Sequence, residues 1–469
     1  MAKVVLYELN EVPWEIIDLY VDRRPDSHLA RMLPRSRCQT THNGDPTHLS
    51  PWRTWPTFHT GLYTEDHNSF ELGQDPDTFR GVNIWDVAEQ NGLSVGLFGP
   101  LQSWPPREFA HGGFHVPDTF ARTSETAPAS LSRFQEFNLS MTSELGFSPD
   151  AAVGPGRMVG AGFDMVRRGL SPWSATRLAR HLVRERKDAR FKAGRSMMQV
   201  LPAFDLFWRL VRKSDPDLSI FFTNHVAGMM HRFWGDAVPG YSSQHGYEVD
   251  EVFSGFVFDA MDLFDHQLGR ILRRVDASKD TVLIIAASMG QGSIPYAHIG
   301  ETYVVEDLAR LASSLGLGPV EKGLSMYPMN SMEFPDKAAA ARAGEILPLV
   351  MSGGDQLISD VRVDGASVSF RVRVEVDGAE LSHELEFSTE ADGPKSAGTI
   401  EDLGISTAER LGGGNTAYHI PDGIFITYGR DVEPEASRAM LDLRGASSEV
   451  LGHLGLAETW AAARAVPSV

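Results

Sequence analysis

Residues whose side chains could do chemistry follow three apolar runs of this sequence, at the points where the strands of a sheet would end. In chain order they are Asn10 and Glu11, Asn224 and His225, and Ser288 and Met289. In α/β proteins, functional groups gather at the carboxyl ends of the strands. Carboxylate, amide and imidazole groups at one sheet edge could bind a metal ion or an anion, or transfer a proton.

Two further segments carry chemically useful residues. Arg53 and Thr54 lie in the run 51 to 61, where a hydroxyl precedes the expected start of a helix. Free amides at a helix start favour an anion. His419 lies between three glycines, Gly412 to Gly414, and the apolar run 424 to 427. Those glycines could hold a phosphate with their amides or form a flexible turn.

The elements that must position these residues follow a βα rhythm. Strand-sized apolar runs cover residues 3 to 9, 93 to 98, 218 to 223 and 281 to 286, and helical spacing marks 82 to 91 and 249 to 274. The runs are apolar without alternation, as in strands that are buried on both faces. The sequence therefore predicts an α/β fold, with a largely parallel sheet and helices on both faces.

Two stretches interrupt this rhythm. Residues 121 to 200 have no strand pattern, and eleven Arg or Lys against three acidic residues give 157 to 195 a local charge of +8. We expect a helical lid that attracts an anion, or alternatively a solvated helix face. Residues 357 to 388 alternate with period two around Asp364-Gly365 and Asp377-Gly378, which predicts a small antiparallel β insertion added to the main sheet.

The predicted domain organisation follows from these boundaries. We assign the core to residues 1 to 120, 205 to 350 and 400 to 469, the helical lid to 121 to 204, and the β insertion to 351 to 399.

Composition excludes several classes of protein. The 469 residues include 43 basic and 62 acidic side chains, a net charge of −19, with 42% hydrophobic residues. This composition is typical of globular proteins, and the excess of acidic side chains argues against nucleic-acid binding. Cys38 is the only cysteine, so no internal disulfide can form. Without a membrane-length apolar run or a signal-like start, we expect a cytoplasmic protein with no membrane partner. The oligomeric state stays open.

Taken in order, these segments resemble the alkaline phosphatase superfamily, in its branch of type I phosphodiesterases and nucleotide pyrophosphatases. The matching elements are Leu9 to Trp14, Pro51 to Gly61, Ile84 to Gly92, Ser103 to Pro106, Asn224 to Trp234, Ala287 to Gly290 and His419 to Gly423. The resemblance implies an alkaline-phosphatase-like fold and a reaction on a phosphate or sulfate ester. It also implies a Thr nucleophile, Thr54, and two metal ions.

The metal ligands that the family uses are partly replaced. Asn10 stands in place of the first Asp, Ser288 and Met289 in place of an Asp-His pair, and Ala227 in place of another Asp. A neutral amide, a hydroxyl and a thioether are poor ligands for a hard divalent ion. We therefore expect the metal site beside Thr54 to be lost.

The remaining residues define a reduced site. His225, His231 and His419 could hold one divalent ion, zinc being favoured, or none. Glu11 or Glu8 could serve as general base for Thr54, while Arg53, Asn10 and Asn224 would bind a small anionic substrate. The leading hypothesis is a hydrolase or transferase of phosphate-containing esters. The alternatives are a pseudoenzyme that binds an anionic ligand or partner, and a metal-independent group-transfer enzyme.

Overall fold

The computed structural model describes residues 2–45, 49–147, 169–296, 301–323, 329–373, 383–390, 393–409 and 414–465. These residues divide into two compact units. The first is drawn from Met1–Leu139, Gly154–Pro295 and Asn415–Val469, and the second mainly from Tyr296–Gly414. Residues 301 to 350, which the sequence analysis assigns to the core, belong to the second unit.

An eight-stranded sheet forms the centre of the first unit. The strands that we label in chain order are β1 (Lys3–Leu9), β2 (Arg37–His42), β3 (Val95–Phe98), β4 (Gly113–Val116), β5 (Leu218–Thr223), β6 (Thr281–Ala286), β7 (Gly290–Ser293), β8 (Ala417–Ile420), β9 (Asp422–Tyr428) and β10 (Glu435–Asp442). The sheet order is β10-β2-β9-β6-β1-β5-β3-β4. The four predicted strands are adjacent and parallel, as the sequence analysis predicts.

Helices cover both faces of this sheet. The side chains of β1 alternate between the two faces and are buried on each. Val4 and Leu6 belong to the apolar cluster that includes Trp55 and Phe58. Tyr7 points the other way and packs edge-on against Phe264, with ring centroids 5.2 Å apart. The helices of this unit are α1 (Trp14–Arg23), α2 (His28–Met32), α3 (Pro51–Thr60), α4 (Thr64–His67), α5 (Ile84–Gln90), the first half of α6 (Ser132–Phe147), α7 (Pro172–Lys187), α8 (Arg195–Met198), α9 (Val200–Ser214), α10 (His225–Ala237), α11 (Tyr241–His245), α12 (Phe256–Ala277), α13 (Ala446–His453) and α14 (Ala457–Ala465). The predicted α/β class is confirmed.

One strand of the sheet is reversed, and this reversal places a late segment near the site. β9 is antiparallel to both β2 and β6. Its amino-terminal end therefore lies at the edge where the parallel strands end. Just before it, β8 pairs antiparallel with β7, so that His419 lies opposite Gln291.

In the predicted lid region, residues 121 to 128 are irregular, helices cover most of 129 to 147 and 172 to 204, and residues 148 to 168 lie outside the described residues. Its arginines contact acidic side chains: Arg184 lies 3.5 Å from Asp259, and Arg190 bonds both Asp188 and Asp250. These pairs cancel part of the local positive charge. Whether the helices act as a lid stays a prediction.

The second unit contains the predicted antiparallel β structure, but as separate sheets. The first four-stranded sheet has the order Ile358–Asp364, Ser367–Val372, Met329–Glu333 and Glu321–Lys322. The second has the order Asp355–Gln356, Met351–Ser352, Glu384–Phe387 and Ser396–Thr399, and Ile405–Glu409 pairs with Glu301–Val305. The helices of this unit are Leu308–Ser314 and Lys337–Ile346.

The predicted turn at Asp364-Gly365 joins the first two of these strands, whereas Asp377-Gly378 lies outside the described residues. The prediction that this insertion extends the main sheet is wrong, because its strands pair with 329 to 333 and bury their own apolar cluster. No helix in the described parts of either unit has the length and apolarity to cross a membrane.

Candidate functional site

The site begins where β1 ends. The Asn10 amide donates to the Thr223 carbonyl at 3.1 Å, which continues the β1–β5 ladder. Glu11 then adopts φ +59°, a left-handed conformation that non-glycine residues rarely take. Its side chain is buried. An uncommon backbone conformation at a buried carboxylate is typical of functional sites.

Two histidines approach this carboxylate from different elements. His231, in α10, places Nε2 2.9 Å from Glu11 Oε2, and His419, in β8, places Nε2 3.5 Å from the same oxygen. One ligand atom from each of the three residues lies within 4.8 Å of the others. We call Glu11, His231 and His419 the carboxylate–histidine cluster.

Backbone carbonyls fix the orientation of both imidazoles. His231 Nδ1 lies 3.1 Å from the Ala417 carbonyl oxygen, and His419 Nδ1 lies 2.9 Å from that of Leu49. A carbonyl can only accept, so each Nδ1 carries a hydrogen and each Nε2 faces Glu11. Metal-binding histidines in proteins usually have this arrangement.

Two amides hold the Glu11 carboxylate in place. Asn10 Nδ2 donates to Oε1 at 2.9 Å, and Gln291 Nε2 donates to Oε2 at 2.5 Å. Gln291 Nε2 also donates to the Ala227 carbonyl at 3.1 Å. Its Oε1 is buried without a hydrogen-bond partner among the described residues. No sequence pattern marks Gln291, and its strand position opposite His419 and its bond to Glu11 identify it.

The surroundings of the cluster favour a negatively charged Glu11 beside a positively charged His419. Burial raises the pKa of Glu11, but the charges and hydrogen bonds of His419 and His231 outweigh burial and hold this pKa well below its usual value. Burial lowers the pKa of His419, yet Glu11 and the Leu49 carbonyl raise it above the ordinary value. The site therefore stabilises a carboxylate beside positive charge, and a metal ion could supply that charge.

One carboxylate and two imidazoles form a ligand set that suits zinc. Ligands that each lie ~2.0–2.1 Å from a tetrahedral zinc ion are about 3.3 Å apart. The Glu11–His419 distance of 3.5 Å is close to this value, and the Glu11–His231 distance of 2.9 Å is slightly short. Two of the three ligand–ligand distances are thus near those of a zinc site, and the third is at most 4.8 Å.

His225 does not belong to this cluster, and its predicted role as a metal ligand is corrected. Its Nδ1 lies 2.7 Å from Thr223 Oγ1, and its Nε2 lies 3.1 Å from the Ala260 carbonyl. Burial lowers the pKa of His225 to about 3. Since helical residues turn ~100° apiece, six residues separate His225 from the His231 face by about 240°. Glu11 takes the place that was expected for His225.

Asn10 and Asn224 do come together. Asn10 Nδ2 donates to Asn224 Oδ1 at 2.6 Å, and Asn10 Oδ1 accepts from Trp55 Nε1 at 2.8 Å. Because Asn10 also bonds Glu11, these amides link α3 to the cluster.

Thr54 lies in the first turn of α3 with its hydroxyl buried. Oγ1 is 2.7 Å from Ser288 Oγ and 3.2 Å from the Ser50 carbonyl. The hydrogen bonds and ion pairs found for Glu11 are with amides and imidazoles, and its role as general base for Thr54 stays a prediction. Where a family ligand would lie, Ser288 and Met289 are fully buried.

The start of α3 offers few amides to an anion. Pro51 has no amide hydrogen, and the amides of Arg53 and Thr54 both donate to the Ser50 carbonyl. Arg53 Nε donates to the Phe70 carbonyl at 3.0 Å, and its guanidinium lies 3.9 Å from Glu71. The structure therefore places Arg53 against this loop and outside the cluster. Of the glycine run, Gly412 and Gly413 lie outside the described residues.

The chain is similar to known proteins in structure and not in sequence. No family model and no curated protein matches the chain by sequence. Among solved structures, it is similar to murine ectonucleotide pyrophosphatase/phosphodiesterase 5, an inactive form in complex with AMP, at 10% identity and a TM-score of 0.41, over 97% of this chain and 95% of that chain. It is also similar to alkaline phosphatase from the Antarctic bacterium TAB5, at 10% identity and a TM-score of 0.37, over 98% of both chains.

Proposed function

We propose that the chain is a hydrolase or transferase of phosphate-containing esters that works with one divalent metal ion, zinc. The observation that carries this proposal is the carboxylate–histidine cluster, whose ligand atoms lie within 4.8 Å of one another. Both imidazoles already have the orientation that a metal-binding histidine requires. Glu11, His231 and His419 would hold the ion.

Three protein ligands leave a coordination position open, as in catalytic zinc sites. When bound, the ion supplies positive charge that polarises a phosphoryl oxygen. The unpartnered Oε1 of Gln291 adds a hydrogen-bond acceptor beside Glu11. Asn224, whose Nδ2 can donate, would bind a small anionic substrate next to the cluster, and Asn10 would hold Asn224 in place, because both hydrogens of Asn10 Nδ2 are donated to Glu11 and Asn224.

Thr54 is our proposed covalent nucleophile. Its motif resembles that of the superfamily, and its hydroxyl is buried in the first turn of α3. Because the contacts of Oγ1 are with Ser288 and Ser50, activation requires the substrate or the ion to change these contacts.

Metal analysis combined with activity tests this function. Purified protein would be depleted with a chelator, reloaded with zinc, and assayed on phosphomonoesters, phosphodiesters and sulfate esters. We expect zinc-dependent turnover of a phosphate ester, with one ion per chain. His231→Ala and His419→Ala should each abolish both zinc binding and ester turnover. The control His42→Ala removes a half-exposed histidine that pairs with Asp422 at the same sheet edge, and it should retain both. Equal turnover by depleted and zinc-loaded protein would refute the proposal.

A second function is favoured by one observation. The partners found for the Thr54 hydroxyl are a serine hydroxyl and a carbonyl, with no base among them. This arrangement suits a protein that binds an anionic ligand without turnover. Zinc and inorganic phosphate would then bind in the wild type, while no ester in the panel is consumed. Metal-independent transfer has less support, since Arg53 donates to the Phe70 carbonyl.

A further inference from the structure

Glu8 and His59 form a buried pair that the proposed mechanism does not use. Glu8 lies in β1 and His59 in α3, and neither side chain is exposed to solvent. His59 Nε2 lies 2.7 Å from Glu8 Oε1. The other polar atom of each side chain, Glu8 Oε2 and His59 Nδ1, is buried without a hydrogen-bond partner among the described residues. Two polar atoms are thus withdrawn from water without a bond in exchange, which is unfavourable.

Aromatic rings surround the imidazole of His59. Its ring stacks on that of Trp55 with centroids 5.7 Å apart, and the rings of Trp85 and Phe58 lie at 4.8 Å and 5.7 Å. Replacing a buried pair of this kind with apolar side chains of similar volume is often neutral or stabilising. Stability alone therefore does not account for the pair.

A second hydrogen bond joins α3 to the end of β1. Trp55 Nε1 donates to Asn10 Oδ1 at 2.8 Å. Trp55 precedes His59 by four residues, which corresponds to ~6.0 Å along a helix. Asn10 follows Glu8 by two residues, which corresponds to ~6.6 Å along a strand. Because the two spacings match, the bonds lie about one helical turn apart and together fix the position of α3 along β1.

The position of α3 matters for two parts of the proposed site. Thr54 is next to Trp55 in α3, and its hydroxyl lies 2.7 Å from Ser288 Oγ. Asn10, which accepts from Trp55, donates to Glu11 at 2.9 Å. A displacement of α3 along β1 would therefore move Thr54 directly, and it would release the amide that orients Glu11.

From these observations we infer that Glu8 and His59 are positioning residues, whose buried pair keeps α3 in place on β1 at a cost in stability. Without the pair, the bond from Trp55 to Asn10 is the one that remains of the two, and α3 can turn or slide about it. The effect on catalysis rests on the proposed function. The position of α3 can, however, be measured without zinc or substrate.

The double variant Glu8→Leu with His59→Leu tests this inference, because it removes the pair and fills its space with apolar groups. We expect a Tm at or above that of the wild type. The Trp55 indole N–H, assigned with Trp55→Phe, should nevertheless exchange with solvent about tenfold faster by NMR in zinc-depleted protein. A pair that only affected stability would have the opposite effect, since a more stable protein exchanges a buried N–H more slowly.

The same double variant should also affect the site. Zinc affinity should fall about tenfold, the effect of a less well oriented Glu11. The kcat for the ester should fall about 100-fold, because small misplacements of reacting groups are costly. Glu8→Gln keeps an oxygen that can accept from His59 Nε2, and it should restore slow Trp55 exchange and zinc binding. Tyr7→Phe is the matched control: it removes a buried bond to Gln267 on the opposite face of β1, and it should lower the Tm but leave zinc affinity unchanged.

Exchange of the Trp55 N–H decides the outcome. The inference is overturned if the folded double variant exchanges this hydrogen no faster than the wild type. It is also overturned if this variant and a second apolar pair, Glu8→Met with His59→Phe, both fail to fold, because the pair would then be needed for the fold itself. A wild type without zinc-dependent turnover would refute the proposed function alone, since Trp55 exchange would still report the position of α3.

Discussion

Gln291 and His419 lie directly opposite each other on the antiparallel strands β7 and β8. Gln291 donates to the same Glu11 oxygen that His419 approaches. The pairing of β7 with β8 therefore fixes the position of His419, a candidate metal ligand, relative to Gln291, whose amide orients Glu11. Outer residues of this kind commonly set the affinity of a metal site.

We predict that Gln291→Met weakens zinc binding about 10- to 100-fold, the usual effect of losing a partner that orients a ligand. Methionine keeps most of the volume but cannot donate to Glu11. Zinc affinity would be measured by competition with a chelating dye. Asn138→Ala serves as control, because it removes a buried amide whose partners are Gln135 and Gln199. Equal zinc affinity in the Gln291 variant and the wild type would show that Gln291 does not position Glu11.

We predict at most one tightly bound ion per chain. Asn10 is already hydrogen-bonded through both side-chain atoms, and Ser288 and Met289 are fully buried neutral groups. A second ion beside Thr54 would lack compensating charge. Elemental analysis after dialysis measures the stoichiometry, and two ions per chain would contradict this prediction.

We predict that Thr54→Ala abolishes ester turnover while zinc stoichiometry stays at the wild-type value. Loss of the Ser50 and Ser288 contacts should lower the free energy of unfolding by about 1–2 kcal/mol. Thr54→Ser keeps a hydroxyl and should retain measurable turnover. Steady-state kinetics and urea unfolding separate the two effects. Full turnover by the Ala variant would exclude Thr54 as the nucleophile.

We predict that Arg186→Glu reduces the association rate of an anionic substrate and the salt dependence of that rate. Arg186 is the better test of the lid because reversing Arg184 or Arg190 would also break pairs with acidic residues. Stopped-flow binding at several ionic strengths measures the effect. Arg430→Glu, a charge reversal at an exposed arginine just after β9, is the control. An unchanged rate would identify these arginines as a solvated face.

The sheet could be predicted from the sequence because its central strands are local apolar runs. Residues 3 to 9 and 218 to 223 carry that pattern without any tertiary information, and they pair in parallel. The separate antiparallel sheets could not be predicted, because the partner strand 329 to 333 has a mixed composition and is chosen by packing. A local apolar pattern identifies a strand in the sequence, but it does not determine which other strand pairs with it.

The site was predictable only in part, for a similar reason. Glu11 was identified beside a strand end and His231 and His419 through the family resemblance, and the structure brings the three together. The prediction of His225 as a third ligand was wrong. His225 lies on a different face of α10 from His231, and its ring bonds the Thr223 hydroxyl. No sequence pattern identified Gln291, because its contact with Glu11 depends on the register between β7 and β8.

The buried His225 predicts a specific pH dependence of stability. Burial lowers its folded-state pKa to about 3, against about 6.5 when unfolded. Its contribution is therefore complete above pH 6.5 and is lost as the pH falls toward 3, because the unfolded chain then binds the extra proton. Between pH 6.5 and 5 this amounts to about 2 kcal/mol at ~1.36 kcal/mol per pH unit.

We predict that His225→Gln removes this contribution, because glutamine can also accept from Thr223 and donate to the Ala260 carbonyl but does not titrate. Urea unfolding of both proteins between pH 5 and 7.5 measures the difference, and the other titrating groups cancel because they are common to both. The stability difference should shift in favour of the variant by about 2 kcal/mol on acidification. A difference that is independent of pH would mean that His225 titrates normally in the folded protein, and would reopen its assignment as a ligand.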